Sequence, residues 1–233
     1  MQDRSAVIIV AAGNSQRMGG RDKLWIPLAG RLTLARTIDV FAASPLIQSI
    51  ILVINATHYD NAIALCRQEN WQKVACVVRG GQRRQDSVRI GLETLTRVDA
   101  QCQWAMIHDG ARPLVTEAII AAGLSAVREH NAVSAAVPVK DTIKQVEQGI
   151  ISNTFERSLL WMIQTPQVFS LPLIYQAHHS VAAQADASDD AILLERLGQR
   201  VVIFPGSYRN IKITTQEDLL FAEALLQRQD SAV

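Results

Sequence analysis

The chain has 233 residues, 48% of them hydrophobic, which suffices for one sizeable core and a small appendage, so a single domain over 1–233 is expected. Twenty-three Lys and Arg against 22 Asp and Glu leave a net charge of +1, which excludes recruitment of nucleic acid or an anionic membrane by the overall field. Cys66, Cys76 and Cys102 are odd in number and form no C-x-x-C pair, against a disulfide framework or a cysteine zinc site; with no secretory pattern and no apolar run long enough to span a bilayer, a cytoplasmic location is expected.

The first predicted strand, Val7 to Val10, is an apolar run of the kind buried on both faces, and it delivers "AAGNSQRMGGRDK" to the surface. So much bare backbone beside arginine and lysine suits a phosphate chain. Gly13 is followed by Asn14 and Ser15, so the central glycine of a Rossmann fingerprint is missing; Gly20-Arg21-Asp22-Lys23-Leu24 lacks the G-K-[ST] of a P-loop. What remains lets backbone amides approach a base or phosphates while Arg17 and Lys23 neutralise a triphosphate; the plainer alternative is a glycine-rich turn with solvated basic residues.

Further along, a helix is predicted over Leu32 to Ala42, a strand over Ile50 to Ile54, a helix over Tyr59 to Glu69 and a strand over Val74 to Val78. The loop "RGGQRRQDS" leads into a helix at Ser87 to Leu95, where Asp86 or Ser87 suits a helix cap. A strand over Ala105 to His108 ends in "HDGARP", then follow a helix over Glu117 to Glu129 and a strand over Ser134 to Pro138. Asp109, at that strand end, suits either Mg²⁺ or a substrate hydroxyl, or a simple turn cap; His108 reads as a packed residue, since no second ligand is spaced for zinc. Residues 141–169 break the rhythm: Thr142 to Val146 alternates, Glu147-Gln148-Gly149 is turn-like and Ile150 to Glu156 returns, so the segment reads as an inserted β-hairpin arm. Such a ribbon is barely stable alone and is expected to pack on a second subunit. His178-His179 and Asp189-Asp190 read as solvated helix-end residues. A helix over Asp190 to Leu197, a strand over Val201 to Phe204 and a helix over Thr215 to Gln227 complete the chain, with Lys212 expected near a strand end.

The β-α-β rhythm predicts an α/β, doubly wound and mainly parallel, Rossmann-like sheet with a protruding arm. Ligands collect at the carboxyl ends of such strands, and "AAGNSQRM", "RGGQRRQDS" and "HDGARP" all fall there.

Taken in order, "VIIVAAGNSQRMGGRDKLWIPLAG", "VVRGGQRRQDSV", "HDGARPLV", "PVKDTIK", "TPQVF" and "NIKIT" closely resemble the 2-C-methyl-D-erythritol 4-phosphate cytidylyltransferases over nearly the whole chain. Two departures stand out, Gly110 for the usual alanine and Gln82 for a smaller or acidic residue. The resemblance implies a homodimeric enzyme of the non-mevalonate isoprenoid pathway that uses CTP and a divalent cation, Mg²⁺, to make CDP-methylerythritol and pyrophosphate. It implies that Arg17 and Lys23 stabilise the transition state, joined by Arg157 and Lys212. Ala11, Ala12, Gly13, Gly81 and Ser87 are implied to hold cytosine and ribose largely through backbone. Asp109, Arg112, Thr142, Arg157, Thr165 and Lys212 are implied to grip the methylerythritol phosphate, with Thr142 and Arg157 reaching from the neighbouring subunit. A phosphate monoester has a second pKa of about 6, so the nucleophile is already ionised and the absence of a catalytic triad is expected. Two alternatives share these features: a sister enzyme acting on ribitol 5-phosphate or a related polyol phosphate, and a nucleotide-binding module without turnover.

Overall fold

A computed structural model describes residues 3–13 and 22–230. Eleven strands and seven α-helices alternate along it. The first half comprises β1 (Ser5–Ala11), β2 (Pro27–Leu28), β3 (Arg31–Leu32), α1 (Thr33–Ala43), β4 (Ser49–Ile54), α2 (Tyr59–Gln68), β5 (Val74–Arg79), α3 (Arg84–Val98), β6 (Trp104–Asp109), α4 (Glu117–His130) and β7 (Ala132–Pro138). The second half comprises β8 (Lys144–Glu147), β9 (Ile150–Thr154), β10 (Trp161–Ser170), α5 (Leu171–His178), α6 (Ala191–Arg196), β11 (Val202–Pro205) and α7 (Gln216–Asp230).

The main sheet has seven strands in the order β11-β7-β10-β6-β1-β4-β5. β1 lies parallel between β4 and β6, and β4 pairs parallel with β5, whereas β10 runs antiparallel to both β6 and β7. The chain thus leaves β1 toward one edge through β4 and β5, and α3 carries it back to β6 on the other side of β1. That reversal opens a crevice at the carboxyl ends of β1 and β6, where an open α/β sheet takes its ligand.

Strand alternation decides which face each side chain serves. Val7, Ile9 and Ala11 of β1 join Leu34, Ile38 and Phe41 of α1 and Ile120, Leu124 and Val127 of α4 in one core. Ala6 and Ile8 join Val88, Leu92 and Leu95 of α3 and Ile174 and Ala177 of α5 in the other. In α1, α3 and α4 the buried residues recur at i, i+4 and i+7, one stripe of an amphipathic helix. Gly91 permits the close approach of α3 to β1, since a Cβ there would lie 2.5 Å from Ile8 Cγ2. Helices therefore cover both faces, as the doubly wound expectation requires.

The expected arm is divided. β8 and β9 form an isolated hairpin whose turn residues, Gln148 and Gly149, have φ of 51° and 81°, as a tight two-residue turn needs. Residues 161–169, however, belong to β10 and lie between β6 and β7 in the main sheet, so the arm proper ends before Trp161. Polar Gln164, Thr165 and Gln167 in β10 are buried yet bonded: Gln164 Nε2 donates to Ser207 O at 2.8 Å and Gln167 Nε2 to Ser134 Oγ at 3.1 Å. Helix α5 was not predicted at all. Among the described residues, no helix is long and apolar enough to cross a membrane, and Cys66, Cys76 and Cys102 are free thiols.

Candidate active site

The crevice holds a cleft of about 580 Å³, bounded by Val10 to Gly13 at the end of β1, Asn55 to Thr57 after β4, Gly80 to Arg84 after β5, and Asp109 and Ala111 at the end of β6. Lys23, Leu24, Ser87 and Lys212 complete its wall. The described parts of the three loops singled out in the sequence therefore meet. Ala11, Ala12, Gly13, Lys23, Gly81, Ser87, Asp109 and Lys212 all line one cavity. Arg17 lies outside the described residues.

Lys23 opens a short 3-10 turn, Lys23–Trp25, capped by the Asp22 carboxylate, which accepts from Leu24 N at 3.1 Å. The other Asp22 oxygen takes Asn55 Nδ2 at 3.3 Å and stands 3.4 Å from His58 Nε2, while Trp25 stacks on His58. The lysine-bearing turn is thus tied to the loop after β4.

On the nucleotide side, backbone closeness matters more than side chains. A Cβ on Gly80 would lie 2.3 Å from Ala12 Cβ and 2.7 Å from Ser87 Oγ, so only glycine lets the two loops touch. Ser87 Oγ accepts from Gly81 N at 3.1 Å and donates to Arg83 O at 3.2 Å. Helix α3 starts at Arg84, earlier than the expected Ser87, with Asp86 accepting from Arg83 N at 3.1 Å as half of a capping box. Asp86 therefore fills the predicted capping role, and Ser87 links the loop to the helix.

On the opposite wall, Asp109 closes β6. Its Oδ2 receives Lys212 Nζ at 2.7 Å, its Oδ1 receives Arg84 Nε at 3.1 Å, and Arg112 Nε stands 3.9 Å away. Burial opposes its ionisation, but Arg84, Lys212 and Arg112 prevail and hold the carboxyl far below the usual carboxylate range. Asp109 N donates to Thr165 Oγ1 at 3.0 Å, and Arg112 Nη1 donates to Asn210 O at 2.8 Å. Thr165 and Arg112 are buried beside Asp109 and do not line the cleft itself. Lys212 sits on irregular chain, not at a strand end; Ile213 N, donating to Ala111 O at 2.8 Å, pins it there. Thr215 Oγ1 then accepts from Asp218 N at 3.3 Å and caps the last helix.

A metal-ligand role for Asp109 does not fit these surroundings. Both carboxylate oxygens already serve cationic donors, and a divalent ion would have to enter beside three positive side chains. Among the described residues no three His, Cys, Asp or Glu side chains are grouped to hold a metal.

Thr142 and Arg157 lie on the exposed arm and away from this cleft; Arg157 Nη1 donates to Lys140 O at 3.1 Å. His108 is buried beneath the site, as expected of a packed residue, and burial lowers its pKa to about 3. The residue missed in the sequence is Arg84. Burial works against its charge, yet Asp190 and Asp109 more than offset this and raise its pKa. A clue was available: two arginines at the positive end of a helix dipole require anions nearby. Those anions include Asp190, and here the reading of His178 and Asp190 as solvated is corrected. His178 Nε2 donates to Asp190 Oδ1 at 3.1 Å, with both side chains almost wholly buried, because α5 and α6 fold against the sheet beside α3.

With the cleft so built, comparison with known proteins is decisive. Residues 5–228 match the family model described as 2-C-methyl-D-erythritol 4-phosphate cytidylyltransferase. The chain belongs to this cytidylyltransferase family. The relative of that name from Dehalococcoides mccartyi strain 195 is 44% identical over 229 residues, covering 98% of each chain. The one from Geobacter metallireducens is 42% identical, covering 95% of this chain and 97% of its own. Among solved structures, the 4-diphosphocytidyl-2C-methyl-D-erythritol synthase of Anaerococcus prevotii has a TM-score of 0.83 at 33% identity, covering 97% of this chain and 99% of its own. This chain thus shares the family's sequence and the fold of a solved member.

Proposed function

We propose that this chain transfers CMP from CTP to 2-C-methyl-D-erythritol 4-phosphate, releasing pyrophosphate and forming the CDP-alcohol of isoprenoid biosynthesis. The family match over residues 5–228 carries the reading, and the cleft shared by Ala11 to Gly13, Lys23, Gly81, Ser87, Asp109 and Lys212 supports it.

In this reading the acceptor's phosphate oxygen attacks the α-phosphorus of CTP, a new P–O bond forms, and the bond from the α-phosphorus to the bridging oxygen of pyrophosphate breaks. The dianionic nucleophile needs no base. It needs two mutually repelling anions held in line and the extra charge at phosphorus neutralised. Lys23 and Arg17 would supply that neutralisation, with Lys212 between nucleotide and acceptor. Ala11, Ala12, Gly13, Gly81 and Ser87 would seat the cytidine. Asp109 would orient acceptor hydroxyls, while Arg112 and Thr165 fix Asp109 from behind. Magnesium would help neutralise the triphosphate, whose oxygens are the hard ligands it favours.

Thr142 and Arg157 would complete the site of a second copy of the chain. The arm supports this, being a two-stranded ribbon with Ile150 73% exposed and Leu159 77% exposed, too apolar and too thin to stand alone.

The direct test is pyrophosphate release from CTP with a panel of polyol phosphates. Turnover with methylerythritol 4-phosphate is expected. Faster turnover of ribitol 5-phosphate would move the assignment to the sister activity, and CTP binding without turnover of any acceptor would leave a binding module. A second measurement separates substrate from metal at Asp109. Asp109→Asn should raise KM for the acceptor roughly tenfold or more, the effect of losing a hydrogen bond to a charged group. The Mg²⁺ concentration for half-maximal rate should stay the same; a large increase would make Asp109 a metal ligand after all.

A further inference from the structure

The contacts around Arg84 extend well beyond the cleft. Its Nε donates to Asp109 Oδ1 at 3.1 Å and its Nη1 to Asp190 Oδ2 at 2.7 Å, so one guanidinium spans two carboxylates. Asp190 is fully buried and bonded on several sides: its second oxygen takes His178 Nε2 at 3.1 Å, and its backbone N donates to Gln167 Oε1 at 3.0 Å. Gln167 is itself anchored in β10 through Ser134 Oγ at 3.1 Å. A continuous chain of charges therefore runs from the sheet interior through Asp190 and Arg84 to Asp109 and Lys212.

The division of donors is informative. Arginine prefers to grip one carboxylate with two parallel N–H groups. Arg84 instead gives Asp109 only Nε, while Nη1, on the far side of the guanidinium, is held by Asp190, and Asp109 Oδ2 goes to Lys212. Arg84 Nη2, the prong that would join Nε in a two-pronged grip on Asp109, is buried and has no hydrogen-bond partner among the described residues. Without the Asp190 charge, Arg84 would be drawn onto Asp109 alone, competing with Lys212 and with any substrate hydroxyl.

We infer that Asp190, supported by His178, is a positioning residue for the acceptor half of the site, acting through Arg84. Asp190 touches no substrate. It holds the guanidinium so that Asp109 and Lys212 keep the geometry that receives the polyol phosphate. The inference deepens the function proposed above and rests on it.

The test is steady-state kinetics of Asp190→Asn, Arg84→Lys and the double variant, each checked for a cooperative thermal transition. Asp190→Asn should raise KM for methylerythritol 4-phosphate about tenfold or more, as for a lost charge-assisted hydrogen bond, and leave KM for CTP within about twofold. The double variant should be little worse than the poorer single variant, because both changes break one chain. Should Asp190→Asn fail to fold, Arg84→Lys carries the test, since a lysine cannot bridge both carboxylates; it must raise the acceptor KM more than the CTP KM. An unchanged acceptor KM in folded Asp190→Asn, equal rises in both KM values, or additive losses would overturn the inference while wild-type turnover stands. Absence of wild-type turnover would overturn the function reading and this inference with it.

Discussion

Replacing Lys23 with alanine is expected to lower kcat by roughly a hundredfold or more, the scale on which removal of one preorganised electrostatic contact acts. KM for CTP should change far less. An interaction that is stronger in the transition state than in the ground state appears in kcat, and charge builds up at the α-phosphorus only as the bond to pyrophosphate lengthens. Lys23 is suited to this because its turn is held from two sides, by the Asp22 cap on Leu24 N and by the Asn55 contact to Asp22. A cation so placed need not reorganise when the reaction occurs. Lys23→Arg should recover only part of the loss, since a planar fork cannot replace a compact ammonium in the same space. Arg17→Ala is expected to behave like Lys23→Ala. Both effects are read from initial rates at saturating acceptor with CTP varied. A loss confined to KM, with kcat intact, would make Lys23 an ordinary binding residue.

Activity should also return when two inactive chains exchange subunits, one carrying Arg157→Ala and the other Lys23→Ala. Arg157 lies on the exposed arm, away from the cleft lined by Lys23. If each arm completes the partner's site, a mixed dimer places both defects in one site and leaves the other intact. With random exchange half of the dimers are mixed, so activity should approach about a quarter of the wild-type value. Each parent alone should remain nearly inactive. Differentially tagged chains establish by two-step purification that mixed dimers formed. If purified mixed dimers stay inactive, Arg157 acts within its own subunit and the exchanged-arm arrangement is wrong.

Much of the fold is legible in the sequence. Strands such as Ile50–Ile54 are buried on both faces and so read as apolar runs; α1, α3 and α4 carry stripes at helical spacing; and glycines mark the loops at strand ends. Local composition settles these features because each depends on neighbours in sequence. The motifs, through the family they resemble, point to eight residues that share the cleft, among them Lys23, Asp109 and Lys212.

Tertiary structure decided what depends on distant partners. β10 contains Pro166 flanked by Gln164, Thr165 and Gln167, a pattern that argues against a central strand. It holds that position because Ser134, Ser207 and Asp109 satisfy those polar groups from other parts of the chain. Asp190 and His178 likewise resemble surface residues by type, and nothing near them in sequence reveals their burial. Their place follows from an arginine 106 positions away from Asp190, which the fold brings to 2.7 Å. A buried carboxylate stays charged only beside a cation, and only the folded chain could supply that one.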